Sequence, residues 1–276
     1  MRLRSMLFVP GDRPDRMEKA LGVGADALIL DLEDAVAPDS KPAARGMVAE
    51  FLKAKTDRPV PLFVRINPVD LGMVEEDMAA AADADAIMVP KAEGRVTMDI
   101  IAPYLRRMNK KALLITCETP AAVFTLGDYA LFKDLLIGLS WGGEDMAVGV
   151  GATANREDGI HTPPFQLIRS LTLFAAHGAG VKPVDTVYPA FTDLDGLTAY
   201  AGRARRDGFQ GMLAIHPSQI PVINAAFTPS EAEIEHAKAI VAAFDANPGV
   251  GALRLDGRMI DMPHLKLAQA TLAAAG

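Results

Sequence analysis

Residues 27–34 read ALILDLED: four apolar residues, then Asp31, Leu32, Glu33 and Asp34. The apolar part has the character of a buried strand. An ionised carboxylate is expensive to bury without a partner, so a buried strand that ends in acids must end at a cation or a ligand. Alternation along the strand puts Asp31 and Glu33 on one face, with Leu30 and Leu32 on the other.

The same design recurs along the chain. Strands are expected at 5–11 (SMLFVPG), 27–34, 61–67 (PLFVRIN), 86–93 (AIMVPKAE), 112–118 (ALLITCE), 135–142 (LLIGLSWG), 181–189 (VKPVDTVYP) and 211–217 (GMLAIHP). Amphipathic stretches such as PDRMEKALGVG, KPAARGMVAEFLKA and VTMDIIAPYLRRM lie between them. That alternation predicts parallel strands with helical crossovers, in a sheet covered on both faces. Eight such units in about 220 residues fit a (β/α)8 barrel, a TIM barrel. A doubly wound open sheet is the alternative; it usually has fewer strands and one ligand crevice. The strand ends favour the barrel. Arg65, Asn67, Lys91, Glu93, Glu118, Glu144, Asp145 and His216 all fall at or just after a strand's C-terminal end. A barrel gathers those ends at one mouth.

Beyond the eighth strand the pattern changes. Residues 218–246 read as two helices, the second opening near TPSEAEI, where Ser230 and Glu233 have the spacing of a capping box. NPGVGALRLDGRMIDMPHLKLAQATLAAA then gives a Gly-rich turn, a short strand or hairpin and a last helix. The expected division is a barrel over 1–228 and a C-terminal helix and lid segment over 229–276. Such a tail is too small to fold alone, so it is expected to pack on the barrel or on a neighbouring subunit.

Composition narrows the function classes. The 276 residues are half apolar, with a net charge of -7 and a single cysteine, Cys117. The charge argues against general nucleic-acid binding, while leaving room for a local basic patch. One cysteine excludes an internal disulfide and a multi-cysteine zinc site. The apolar runs stop well short of the roughly 20 residues of a membrane helix, and the N-terminus reads as a strand, not a signal peptide. A soluble cytoplasmic protein is expected.

Glu118 and Asp145 end the fifth and sixth strands, neighbours in a barrel, so their oxygens can meet. Magnesium commonly takes only one or two protein carboxylates, and the glycines of WGGED allow close backbone approach before Asp145. Glu33 and Asp34 are candidate site residues. Asp31 has a supporting role open to it, accepting hydrogen bonds from loops or pairing with Arg65 or Lys91. Arg65, in FVRIN, can grip a ligand carboxylate with two parallel donors or form a structural ion pair; sequence leaves both open. In FVPGDRPDRMEKA a helix begins after a turn with Arg13, Arg16 and Lys19 on successive turns, a place for phosphate or a solvated face. GVGATA (149–154) imitates a dinucleotide fingerprint, but NREDG after it opens no helix. Cys117 is expected to be a buried thiol, and the five histidines show no zinc spacing.

The stretches LFVPGDRPDRMEKA, LDLEDAVAPDSKPAAR, VRIN, VPKAE, WGGEDMA, AIHPSQI, FTPSEAEI and GRMIDMPHLKLAQ, between residues 7 and 269, resemble the citrate lyase beta-subunit-like family, which includes citramalyl-CoA and malyl-CoA lyases. The resemblance implies a (β/α)8 barrel holding Mg2+ through Glu118 and Asp145. It implies that Arg65 contacts the substrate's oxygen-bearing end, and that Phe8, Arg13 and Lys19 grip coenzyme A. It implies a homotrimer in which a neighbour's C-terminal segment closes each site and brings Asp261 as acid/base. The implied activity is cleavage or formation of a 3-hydroxyacyl-CoA, with acetyl-CoA and pyruvate or glyoxylate as the other side. Alternatives are a citrate lyase beta subunit, a malyl-CoA thioesterase, a metal-dependent aldolase using free pyruvate, and a non-catalytic subunit on the same barrel.

Overall fold

The computed structural model describes residues 1–275, which divide into two compact units, 1–224 and 225–275. In the first, eight parallel strands form a closed barrel: β1 (Ser5–Pro10), β2 (Ala27–Asp31), β3 (Leu62–Arg65), β4 (Ala86–Ala92), β5 (Ala112–Thr116), β6 (Leu136–Trp141), β9 (Lys182–Asp185) and β10 (Gly211–Ala214). Closure runs β1-β10-β9-β6-β5-β4-β3-β2, so the barrel sheet has no open edge and the doubly wound alternative falls away. Between β6 and β9 the chain inserts a short antiparallel hairpin, β7 (Arg156–Glu157) with β8 (Ile160–His161).

Helices α1 (Pro14–Ala20), α2 (Lys41–Ala54), α3 (Val74–Ala80), α4 (Gly94–Met108), α5 (Gly143–Val150), α6 (Pro163–Ala179), α7 (Leu194–Asp207) and α8 (Gln219–Ala226) follow the strands. After β5 the crossover is made by 3₁₀ turns over Ala121–Phe124 and Leu126–Leu135 instead of an α-helix. Inside the barrel Met6, Ile29, Phe63, Met88, Leu113, Val184 and Leu213 pack into one apolar cluster. The interior is therefore filled, and a ligand is confined to the mouth. GVGATA covers the end of α5 and the turn after it, with Gly151 left-handed at the helix terminus; it opens no helix.

The second unit holds α9 (Glu231–Asp245), the hairpin β11 (Ala252–Leu255) with β12 (Arg258–Asp261), and α10 (Met262–Ala275). The Ser230 hydroxyl accepts from the Glu233 N–H while the Glu233 carboxylate accepts from the Ser230 N–H, the reciprocal capping box. Asp256 and Gly257, with φ of 47° and 80°, make the tight hairpin turn that needs left-handed residues at both centres. Ala237, Ile240, Phe244, Ile260 and Ala268 form this unit's own small core. Among the described residues no helix is long and apolar enough to cross a membrane.

Candidate active site

Register places the first ion pair. Asp31, last in β2, lies beside Arg65, last in β3, so their side chains leave the sheet together. Arg65 donates through Nε and Nη2 to both Asp31 oxygens, at 2.7 and 2.6 Å. Asp31 also accepts from the N–H groups of Glu33 and Ala35, fixing the turn that carries the next two acids. Arg65 Nη1 lies 2.6 Å from Glu33 Oε2, and its guanidinium sits 4.6 Å over the Phe8 ring. Burial works against the Arg65 charge, but Asp31, then Glu33 and Glu118, overcome it and hold the guanidinium more firmly protonated than usual. Of the two roles open to Arg65, the structure displays the ion pair.

Glu33 is buried between Arg65 and Lys91, whose Nζ is 2.7 Å from Glu33 Oε1 and 3.5 Å from Asp145 Oδ1. Behind the acidic turn, Lys41 Nζ donates to the carbonyls of Leu32 and Glu33 and to Asn67 Oδ1, at 2.8, 2.8 and 2.6 Å. Asn67 donates in turn to Asp77, which Arg45 also holds. Asn67 therefore braces the loop from behind and does not face the mouth. Asp34 is exposed and lines the cavity.

Glu118, from the end of β5, is only 5 % exposed and accepts the Lys91 N–H at 2.6 Å. Burial, and then the charge of Glu33, push its carboxyl up to about 8; the Lys91 N–H pulls the other way and Asp145 adds to the rise. A Cβ added to Gly142 would collide with the Glu118 carboxylate, so this backbone approaches the acid as closely as glycine permits. Asp145 is partly exposed, in the first turn of α5. Its neighbour Glu144 turns outward to Arg156.

The donor set fits a divalent cation. Fully ionised, Asp31, Glu33, Glu118 and Asp145 exceed the paired Arg65 and Lys91 by two charges, the charge of one divalent ion, and the Glu118 carboxyl, raised to about 8, is the group such an ion would deprotonate. Among the described residues no group of three or more His, Cys, Asp and Glu gathers as a metal cage. An ion here would take Glu118 and Asp145 and complete its shell with water or ligand oxygens, as magnesium does.

One cavity of about 860 Å³ joins these acids to the N-terminal helix. Phe8, Arg13, Arg16 and Lys19 line one side; Asp31, Asp34, Arg65, Glu118 and Asp145 line the other. His216 also lines it, its ring stacked on Phe191 at 4.9 Å. Arg13, just before α1, pairs with Asp15 in its first turn. Asp261 lies in the second unit, at the end of β12, its carboxylate against His264 Nδ1. Cys117 is fully buried, and burial raises its thiol pKa; it is no nucleophile. Sequence reasoning offered the lysine of VPKAE as a partner for Asp31, whereas it pairs with Glu33 and Asp145, and it missed Lys41. A lysine at the first position of a helix with no side-chain cap carries no signal of what it will touch.

The chain matches the family model HpcH/HpaI aldolase/citrate lyase over residues 4–217. It is 36% identical to a (3S)-malyl-CoA thioesterase of Cereibacter sphaeroides, over 99% of this chain and 94% of that protein. It is 32% identical to the mitochondrial citramalyl-CoA lyase of Mus musculus, over 96% of this chain and 84% of that one. Among solved structures it resembles CitE from Mycobacterium tuberculosis in complex with magnesium, acetoacetate and coenzyme A. The TM-score is 0.84 and the identity 33%, covering 99% of this chain and 97% of that one.

Proposed function

The chain belongs to the HpcH/HpaI aldolase/citrate lyase family, and on that premise we propose that it is a magnesium-dependent carbon–carbon lyase acting on CoA thioesters. Its substrate is a 3-hydroxyacyl-CoA such as citramalyl-CoA or malyl-CoA, cleaved to acetyl-CoA and pyruvate or glyoxylate, or formed from them. The observation that carries this reading is the single cavity joining an acid cluster short of one divalent counter-charge to a basic, aromatic-edged helix. One end suits a metal and a small acid, the other a phosphorylated carrier.

Magnesium held by Glu118 and Asp145 would supply Lewis-acid polarisation of the acid half's oxygens. Arg65, fixed by Asp31 and Glu33, places lasting positive charge beside the position where the enolate or carboxylate develops negative charge. Glu33 and Asp34 shape the acid side of the pocket; Phe8, Arg13 and Lys19 receive the CoA portion. Asp261, brought by a neighbouring subunit of a homotrimer, gives a proton to the acetyl-CoA carbon in cleavage and removes it in condensation. The exposed Met259, Met262 and Leu267 of the second unit offer apolar surface for such a contact.

A second reading is hydrolysis of the thioester, with Asp261 activating water, supported by the likeness to a malyl-CoA thioesterase. Incubating the protein and Mg2+ separately with citramalyl-CoA and malyl-CoA, and identifying products by mass, tests both. Acetyl-CoA with a 2-oxo acid is expected, and Glu118→Gln or Asp145→Asn should abolish its formation. Free CoA with an intact hydroxy acid would put the thioesterase in its place. No turnover of either substrate would remove both.

A further inference from the structure

Lys91 commits both its backbone and its side chain to the acids at the mouth. β4 loses register with β5 between Val89 and Ala92, and inside that break Lys91 has φ of 47°. This left-handed conformation is costly for a residue with a Cβ, and such outliers concentrate at functional sites. What the strain achieves is visible. Turned this way, the Lys91 N–H reaches Glu118 Oε2 at 2.6 Å, while Nζ reaches Glu33 at 2.7 Å and Asp145 at 3.5 Å. One residue touches three carboxylates, two of them the acids assigned to the divalent ion.

Those two acids are held differently. Glu118 is buried and fixed by a backbone donor that no side-chain change removes. Asp145 is partly exposed, and its contact with Lys91 is the longer one. Asp145 can therefore exchange one cation for another more readily than Glu118 can.

We propose that Lys91 is a positioning residue that competes with the divalent ion for Asp145 and so holds the site's affinity for that ion down. The ammonium already supplies Asp145 with a counter-charge, and an incoming ion must share that carboxylate with a cation a few ångströms away. Repulsion between two cations at such range, partly shielded from water, is worth far more than the same pair on an open surface. A lysine present only to neutralise buried Glu33 would behave otherwise: its removal would loosen the acid cluster and leave ion binding unchanged or weaker. The proposal rests on Glu118 and Asp145 being the ion's ligands, and its test separates the two.

The probe is Mn2+, titrated into metal-free protein without CoA or acid and followed by electron paramagnetic resonance. Lys91→Met and Lys91→Gln are expected to bind Mn2+ more tightly than the wild type, on the order of tenfold, through loss of the competing charge. Lys91→Arg, which keeps the charge, should stay near the wild type. If either folded neutral variant binds no more tightly, or if Lys91→Arg tightens as much as Lys91→Met, the proposal is wrong. Lys91→Gln retains a polar contact to Glu33 and carries the comparison should Lys91→Met fail to fold. Asp145→Asn is expected to lose Mn2+ binding in both backgrounds. Undiminished binding there would remove the metal site itself, and the proposal with it.

Discussion

At the scale of single residues, the site works because atoms with no side chain of their own leave room for those that have one. Gly142 has φ of -128°, which alanine adopts without strain, yet its Cβ would meet the Glu118 carboxylate. Gly142→Ala is therefore expected to cost about 1–3 kcal/mol of stability through overpacking and to weaken magnesium binding by about tenfold or more, through displacement of Glu118. Titration calorimetry of the metal-free variant checks this, and unchanged affinity would mean that Glu118 is no ligand. The buried acids were legible as such: Asp31, Glu33 and Glu118 each follow an apolar run continuous enough to be buried, whereas Asp145 is flagged by the glycines of WGGED before it. Their partners were not. Whether Arg65 meets a ligand or Asp31 depends on which residue of β2 stands opposite it, and register does not appear in one strand's sequence.

At the scale of elements, the β7–β8 hairpin escaped the sequence reading because two-residue strands have too few positions to show alternation. Its His161 is buried edge-on against Trp141 and Tyr200, and Nε2 has no protein hydrogen-bond partner among the described residues. Burial, and then the charges of Arg156, Arg169 and Arg203, lower its pKa from 6.5 to about 3. Between those values the unfolded chain takes up a proton that the folded chain refuses. Stability is thus whole above the unfolded pKa and drains away as pH falls through this window. His161→Phe should remove that dependence, flattening the loss of stability by at most about 1.4 kcal/mol per pH unit. Urea midpoints for both proteins between about pH 7 and 5 measure it; parallel curves would show that His161 does not titrate with folding. The capping box of α9, by contrast, was readable outright, because a cap is set by residues three apart.

At the scale of the whole molecule, the open question is where each site finds its acid/base. Glu118→Gln and Asp261→Asn should each be inactive alone. Co-expressed so that their subunits mix at random in the proposed trimer, they should recover roughly one quarter of wild-type turnover if a site pairs Glu118 of one chain with Asp261 of its neighbour. No recovery would place both groups in one chain and end the exchanged-lid reading. The alternation of apolar runs with amphipathic stretches was enough by itself to determine the eight barrel strands, the placement of acids at their C-terminal ends and the helical hairpin tail, because burial and periodicity are written locally. Only the tertiary structure decided that Arg65 is clasped by Asp31 and Glu33, that Gly142 lies against Glu118, and that a register break turns Lys91 toward three carboxylates. Each of those contacts joins residues from different strands or loops, and closing the barrel, not any single segment, sets the distances between them.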